Sequence, residues 1–517
     1  MVWLTERISR YIKNSNLKDE EMDLRKKINI WDVIFVAAGI GSMFFWYANG
    51  ISGNDFWWHV KVGEYICQNG KIPTTDIFSW VRNMMDIPWT AHEWLSEVIL
   101  YLLYHYGGEF GIFLFFFVLA SIAYILLYGQ IRAFFNHNFV FSIIYLFFFS
   151  IVAPMFFFGR PQVAGFFLLF FELKILYSFY VNDGGKLIWL VPVLAVLWSN
   201  LYGGSSNLSY LLCFLFLFSG SFSFTIGRVE GRKLSKKARI QLVLVVLCTI
   251  FAIMINPIGI KVLSYPYVNL SDKLSMTLIS EWQSPDVKNL GELILFFFPL
   301  LLMALGIVLE EKSIRFIDLL LMLFFTFLFL RSIRFIILWY FAASFYAFHY
   351  LPSFDSLVEK RKIDFIAKGV FLLLSVLLGI CGSIKTVDTL QSGKIVRTVL
   401  GEKMIQKVKE VSPNRLYNYY DFGEALIFHN IPVFFDSRAD LFSKTGILAD
   451  GFSLTRLQSV NPEDEKEYLN VESLIGKYQF DYFIVDNTTP LYVYLADHVE
   501  KYELIFEEDN ATLFKKR

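Results

Sequence analysis

Charge is scarce in this chain. Only 18% of its 517 residues are Asp, Glu, Lys or Arg, against about a quarter in soluble domains. The 47 basic and 47 acidic residues cancel, so no global charge draws the chain to nucleic acid. Cysteine is equally sparse. Cys67, Cys213, Cys248 and Cys381 are scattered, three of them in apolar segments. No pair has metal-ligand spacing, and only Cys67 reads as exposed outside, so no disulfide is expected. There is no P-loop and no Gly-rich strand-to-helix turn of the dinucleotide type. No internal repeat or low-complexity stretch stands out.

What the chain has is apolar surface. It is 56% hydrophobic and 18% aromatic, with 56 Phe, and its mean hydropathy is +0.49. This is the composition of a polytopic membrane protein. Residues 1–29 are long, mixed in charge and lack a small-residue cleavage site, so they do not read as a cleavable signal.

Apolar runs of spanning length, about 17 to 25 residues, lie at 30–49, 109–133, 138–157, 162–181, 186–202, 207–227, 240–256, 291–309, 314–331, 334–351 and 365–384. The run "HEWLSEVILYLLYHYGG" at 92–108 sits on the length border. Basic residues decide it. The strongest cationic stretches are 1–29, "RVEGRKLSKKAR" at 228–239 and "EKRK" at 359–362, and all three belong in the cytoplasm. They share one side only if 92–108 lies flat at the interface, and Arg132, Lys186, Lys312 and Arg315 then fall inside too.

The expected architecture is an α-helical polytopic membrane protein of eleven spans with a small C-terminal α/β domain outside. Residues 1–29 form a cytoplasmic segment, 30–384 the transmembrane domain, and 50–108 a first outer loop with interfacial helices. In the helix at 92–108, Glu93, Ser96 and Glu97 share a polar side, while Leu95, Val98, Ile99 and Leu102 can enter lipid. Trp57, Trp58, Trp80, Trp89 and Trp94 suit a headgroup belt. In the outer tail, 385–517, "PVFFD" and "DYFIVD" read as strands, 397–411 and 462–477 as helices, and the last residues as a hairpin around Asp509-Asn510.

With sides assigned, unusual polar groups collect outside. They are Asp55 and His59, Asp76, His92 and Glu93, Arg160 and Gln162 in "RPQ", Asn200 in "WSNLYGG", Glu281 in "EWQSPD", and Arg331 and Arg334 in "RSIR". Ionisable groups at membrane depth point to a functional cavity. Each also has a plain alternative. Asp55 could cap the helix beginning at Phe56, His59 could be an interfacial histidine, Asp76 a turn residue, and the two arginines of "RSIR" could snorkel. Arg160 resists such a reading, because it stands on the side where the positive-inside rule disfavours it. Arginines suit a phosphate by forked hydrogen bonding, and a carboxylate against an apolar wall suits acceptance of a proton from a hydroxyl.

This arrangement resembles the GT-C glycosyltransferases, polytopic enzymes that use polyprenyl-phosphate sugars and include protein O-mannosyltransferases and lipid A aminoarabinose transferases. The opening "NDFWWHVKVGEYICQNGKIPTTDIFSW", the "RPQ" and "WSNLYGG" turns, and "YNYYDFGEALIFHNIPVFFDSRADLF" are similar, in this order, to a group of bacterial GT-C-like membrane proteins. The likeness runs from roughly residue 30 to 450. It implies Asp55 as catalytic base and Arg331 and Arg334 as the holders of a donor phosphate. His59, Asp76, His92, Glu93, Arg160, Gln162, Asn200 and Glu281 complete the expected substrate-binding set. Relatives usually carry an Asp–Glu pair in the first loop, where Asn54-Asp55-Phe56 supplies one acid. That departure leaves the acceptor and any divalent metal open.

The resemblance implies sugar transfer from a polyprenyl-phosphate donor to a hydroxyl on a lipid, glycan or protein, at the outer face of the cell membrane. It implies no certain cofactor and no nucleic acid. Two alternatives stay open: a transporter or flippase of a lipid-linked saccharide, and a non-catalytic GT-C-like scaffold.

Overall fold

The computed structural model describes residues 30–47, 55–293, 297, 300–301, 304, 307–308, 313–351, 360–391, 399–460 and 470–517. The basic segment 1–29, Asn54 and most of the run 291–309 lie outside them. The chain divides into two compact units.

The first unit takes the described residues within Met1–Gly50, Phe113–Leu263 and Glu281–Lys394. Its helices follow the apolar runs: Ile30–Tyr47, Phe135–Phe156, Gln162–Val181, Leu190–Leu201, Leu208–Ser219, Lys236–Ile253, Phe316–Arg331, Ile336–Tyr350 and Lys360–Gln391. Helix Lys360–Gln391 packs along Ile30–Tyr47. There a Cβ on Gly382 would lie 2.6 Å from the Phe45 Cα, so only glycine permits that approach, a device common between membrane helices. Buried carboxylates tie other helices together. Asp32 accepts from Arg132 Nε at 2.8 Å, Arg132 Nη2 at 2.6 Å and the Tyr128 hydroxyl at 2.7 Å. Asp318 accepts from the Tyr177 and Tyr350 hydroxyls and from Arg315 Nε.

The run 207–227 is not one helix. It stops at Ser219, and Phe224–Ile226 pairs antiparallel with Val229–Gly231, which in turn pairs parallel with Ile314–Arg315. Gly220 and the alternating Ser221-Phe222-Ser223-Phe224 explain the change, since a period of two favours a strand over a helix. Helices Gln162–Val181 and Trp94–Ile131, and residues 368–385, are long and apolar enough to cross a membrane.

The second unit takes Ile51–Ile112, Ser264–Ser280 and Ile395–Arg517. The outer loop, a short later loop and the tail thus make one folded body, where the sequence pattern separates loop and tail. Helix α1 (Phe56–Asn69) ends at Gly70, whose left-handed backbone (φ 63) sends its N–H to the Ile66 carbonyl. Helix α2 (Trp94–Ile131) is broken at Gly108 (φ 58, ψ −158), so the stretch expected to lie flat ends at a real discontinuity.

The tail holds a four-stranded sheet: β1 (Leu416–Asn418), β2 (Tyr482–Asp486), β3 (Tyr502–Glu508) and β4 (Ala511–Lys516), in the order β1-β2-β4-β3. β1 runs parallel to β2, and the other pairs are antiparallel. The β3–β4 hairpin turns at Asp509, which takes a left-handed φ of 52°. "PVFFD" forms no strand; Val433 makes a single parallel bridge to Ser79 of the outer loop. The helices are Glu402–Val411, within the expected 397–411, and Val471–Tyr478, which starts later than expected; residues 461–469 lie outside the described set.

One core joins loop and tail. Trp58, Val62, Trp80 and Trp89 pack with Leu416, Tyr417, Phe434 and Phe480. Trp80 donates its backbone N–H to the Val433 carbonyl at 3.0 Å and its indole N–H to the Leu416 carbonyl at 3.0 Å. Trp57, Trp58, Trp80 and Trp89 are therefore core residues and not a headgroup belt: the tail supplies the apolar partners that their large faces need.

Candidate functional site

Asp55 immediately precedes α1, and its side chain makes no capping hydrogen bond. It is half-buried. Trp58 Nε1 lies 3.4 Å from Asp55 Oδ1 and donates to Ser437 Oγ at 3.0 Å. Behind it stand Phe56 and Trp57, both buried. The Trp57 backbone N–H, one of those a cap would satisfy, donates to Glu424 Oε2 of the tail helix α3 (Gly423–Phe428) at 3.2 Å. The tail thus supplies a partner for a backbone N–H at this helix start. The Asp55 charge reaches Asp421, whose carboxyl is pushed up by burial, then by Asp486, and further by Asp55.

Asp76 belongs to a buried ion triad centred on Arg438. Its Oδ1 accepts from Arg438 Nη1 at 2.8 Å and from the Phe78 N–H at 3.1 Å, and its Oδ2 from the Ser79 N–H and hydroxyl. Asp436 takes Arg438 Nε at 2.8 Å and Nη2 at 2.6 Å. The guanidinium lies 4.9 Å from the Trp89 ring centre, 5.1 Å from Phe78 and 5.6 Å from Phe442. Burial alone would raise the Asp76 carboxyl, but Arg438 and the Ser79 and Phe78 donors outweigh it and hold it below the usual range. At Asp436 burial wins over Arg438, and the carboxyl is raised. Asp76, expected among the substrate contacts, here joins the outer loop to the tail.

His59 and the start of α2 form a second polar node. His59 Nδ1 lies 3.1 Å from Glu97 Oε1, and His59 Nε2 3.5 Å from Glu93 Oε2. One ligating atom from each of the three lies within 4.8 Å of the others. The polar side of 92–108 therefore faces inward, against α1. His92 Nε2 is 3.5 Å from Glu93 Oε1, and its ring packs on Tyr265, whose hydroxyl donates to Asp440 at 2.8 Å. Burial presses the His92 imidazole towards neutrality. Glu93 and Asp440 overcome this, and its pKa is raised.

The arginines expected to hold phosphate belong to the first unit. Arg334 Nε donates to Gln162 Oε1 at 2.7 Å, and its guanidinium lies 5.3 Å over the Trp282 ring. Arg160 pairs with Glu281. The Ser332 hydroxyl donates to the Glu281 carbonyl, and the Ile333 N–H to the Gln283 carbonyl at 3.0 Å. Three turns far apart in sequence, 160–162, 281–283 and 331–334, thus meet. Gln162 Nε2 is buried with no hydrogen-bond partner among the described residues. Arg331 is exposed at the end of its helix. Asn200 donates to the Val196 and Ile255 carbonyls at 2.8 and 2.7 Å, a tie between helix ends. The sequence reading missed Trp282, whose ring is the platform for Arg334, and the partnership of Arg438 with Asp76. An exposed-loop tryptophan beside Glu281 was the available signal for the first; no local signal existed for the second.

No protein-family model and no curated protein matches the chain. Solved structures do. The archaeal oligosaccharyltransferase AglB from Archaeoglobus fulgidus, solved with an inhibitory peptide and a dolichol-phosphate, aligns with 91% of this chain and 71% of its own, at 12% identity and a TM-score of 0.54. ArnT from Cupriavidus metallidurans, solved with undecaprenyl phosphate, aligns with 94% of this chain and 97% of its own, at 13% identity and a TM-score of 0.45. The AglB likeness shows that this chain shares the fold of that membrane glycosyltransferase structure.

Proposed function

We propose that this protein is a membrane glycosyltransferase that moves a sugar from a polyprenyl-phosphate donor to a hydroxyl acceptor, with Asp55 as general base. The observation that carries the reading is the Asp55 carboxylate itself. It stands half-buried at the start of a helix, against Phe56 and Trp57, where a carboxylate shielded by apolar side chains suits acceptance of a proton from a hydroxyl. The GT-C fold, and the dolichol-phosphate that accompanies AglB, support a lipid-linked donor.

In the proposed step the acceptor oxygen forms a bond to the anomeric carbon while the bond from that carbon to the phosphate oxygen breaks. The hydroxyl proton passes to Asp55, and the polyprenyl phosphate leaves with the bonding pair. The displacement inverts the anomeric centre. Arg334 and Arg160 are the groups proposed to stabilise the departing phosphate, since charge that develops in the transition state gains most from fixed donors. Trp282 and Gln162 hold the Arg334 guanidinium in one orientation.

Asp55→Asn tests the reading. Asn is nearly isosteric but accepts no proton, so transfer measured with purified protein and a polyprenyl-phosphate sugar should fall by roughly two to four orders of magnitude. Folding, judged by thermal unfolding, should change little. A variant that transfers at the wild-type rate would remove Asp55 from the chemistry.

A further inference from the structure

The first unit carries a basic face that the proposed transfer step does not use. We propose that the turn 181–186 and the segment 224–237 together bind the headgroups of anionic phospholipids. The two segments are tied into one structure. The Ser235 N–H donates to Asp183 Oδ1 at 2.8 Å, Arg232 Nη1 to the Val181 carbonyl at 3.2 Å, and Gln241 Nε2 to the Gly185 carbonyl at 2.8 Å. At the base of the loop the Leu234 N–H donates to the Gly220 carbonyl at 2.8 Å. Its edge is the ribbon Phe224–Ile226 with Val229–Gly231, turned by Gly227 at a φ of 56° and held to Ile314–Arg315. A cationic surface on a fixed backbone loses less freedom when it binds than a loose one.

Charge selects the ligand's sign. Residues 181–190 and 224–240 hold seven Lys and Arg against two acids, Asp183 and Glu230, and Asp183 is already engaged with Ser235. Lys186, Arg232, Lys233, Lys236 and Lys237 are exposed. Basic residues beside membrane helices are ordinary; two of these occupy an unfavourable place. Lys236 and Lys237 stand in the first turn of helix Lys236–Ile253, which has no acid there. That end is the positive pole of the helix, so cations there are repelled and an anion is attracted. Ser235 Oγ accepts the Ala238 N–H at 3.2 Å, which satisfies a donor but brings no charge.

Apolar side chains identify the anion as a lipid's. Ile226 beside the ribbon's turn is 71% exposed, Phe222 47% and Trp189 42%. All three lie within a few residues of the cations in sequence. Elements that rest in the interface combine groups of both kinds: apolar side chains enter the acyl boundary, and Lys and Arg reach the phosphates. A soluble anion has no use for the apolar half.

The test is lipid binding by the detergent-purified full chain, with phosphatidylglycerol compared against phosphatidylcholine. Native mass spectrometry should show phosphatidylglycerol held at least tenfold more tightly, and thermal unfolding should move upward as it is added. The fourfold variant Arg232→Gln, Lys233→Gln, Lys236→Gln and Lys237→Gln should lose that preference. Lys236→Gln with Lys237→Gln should weaken it severalfold and serves if the fourfold variant fails to fold. Removing as many charges from the second unit, by Lys403→Gln, Lys409→Gln, Lys444→Gln and Lys515→Gln, should leave it unchanged. Asp55→Asn should bind the lipid as the wild type does, which separates this inference from the assignment of the base. Equal retention of the two lipids by the wild type would overturn the proposal, as would an undiminished preference in the folded variants. Displacement of phosphatidylglycerol by inorganic phosphate at the same concentration would identify a simple anion site and overturn it too.

Discussion

Arg438 donates Nη1 to Oδ1 of Asp76 at 2.8 Å across 362 residues of sequence, with both side chains almost wholly out of solvent. Asp436 completes the pairing, and three aromatic rings surround the guanidinium. Breaking such a buried pair leaves an uncompensated charge, at a cost of about 3–5 kcal/mol. Asp76→Asn should therefore lower the unfolding temperature at neutral pH. The depressed Asp76 carboxyl contributes stability that is fully present above the unfolded value of about 3.9 and is lost as pH falls through the folded value. The gap between wild type and variant should then narrow below about pH 4. Asp436, whose carboxyl is raised, titrates with the opposite sign in both proteins and does not remove that difference. Unfolding midpoints measured against pH check this, and a gap that widens in acid would contradict it.

Gly63 should tolerate no side chain. A Cβ would lie 2.1 Å from the Glu97 carbonyl oxygen, backbone that cannot rotate away. Gly63→Ala should cost about 1–3 kcal/mol by forcing α1 from α2. Thermal unfolding of the purified variant measures it, and an unchanged midpoint would mean the two helices separate freely.

Arg334→Lys keeps the charge but loses both the fixed fork towards Gln162 and the flat face over Trp282. Affinity for a polyprenyl phosphate should drop about tenfold, the equivalent of roughly 1.4 kcal/mol. Trp282→Leu should produce part of the same loss. Wild-type affinity in Arg334→Lys would take this arginine out of donor binding.

Topology has its own check. The break at Gly108 separates the first part of α2 from the apolar stretch that follows, and the basic block at 228–239 is expected in the cytoplasm. Single cysteines placed at Glu109 and Arg232 should label from opposite sides of the membrane. A Glu109 cysteine that labels from the cytoplasmic side, with Arg232 labelling from outside, would mean that 92–108 spans; labelling of both from one side would break the span count between them.

Much of the first unit was legible because membrane helices announce themselves locally. Apolar length alone located Gln162–Val181 to the residue and Ile336–Tyr350 within two, and period-two alternation would have flagged the strand at 224–226 inside a run read as helix. In the tail, "DYFIVD" and the Asp509-Asn510 turn were readable for the same reason: strand and turn chemistry sit within a few adjacent residues. The sequence also carried Arg160, Gln162, Glu281 and Arg334 as polar groups out of place. Which of them meet was decided by packing, as was the inward turn of Glu93 and Glu97 against His59. The union of outer loop and tail belongs to the same class. Trp80 reaches Val433 and Asp76 reaches Arg438 across more than 300 residues, and no local periodicity records a partner at that distance. A polar residue shows in sequence that it must be satisfied; only the folded chain determines by what.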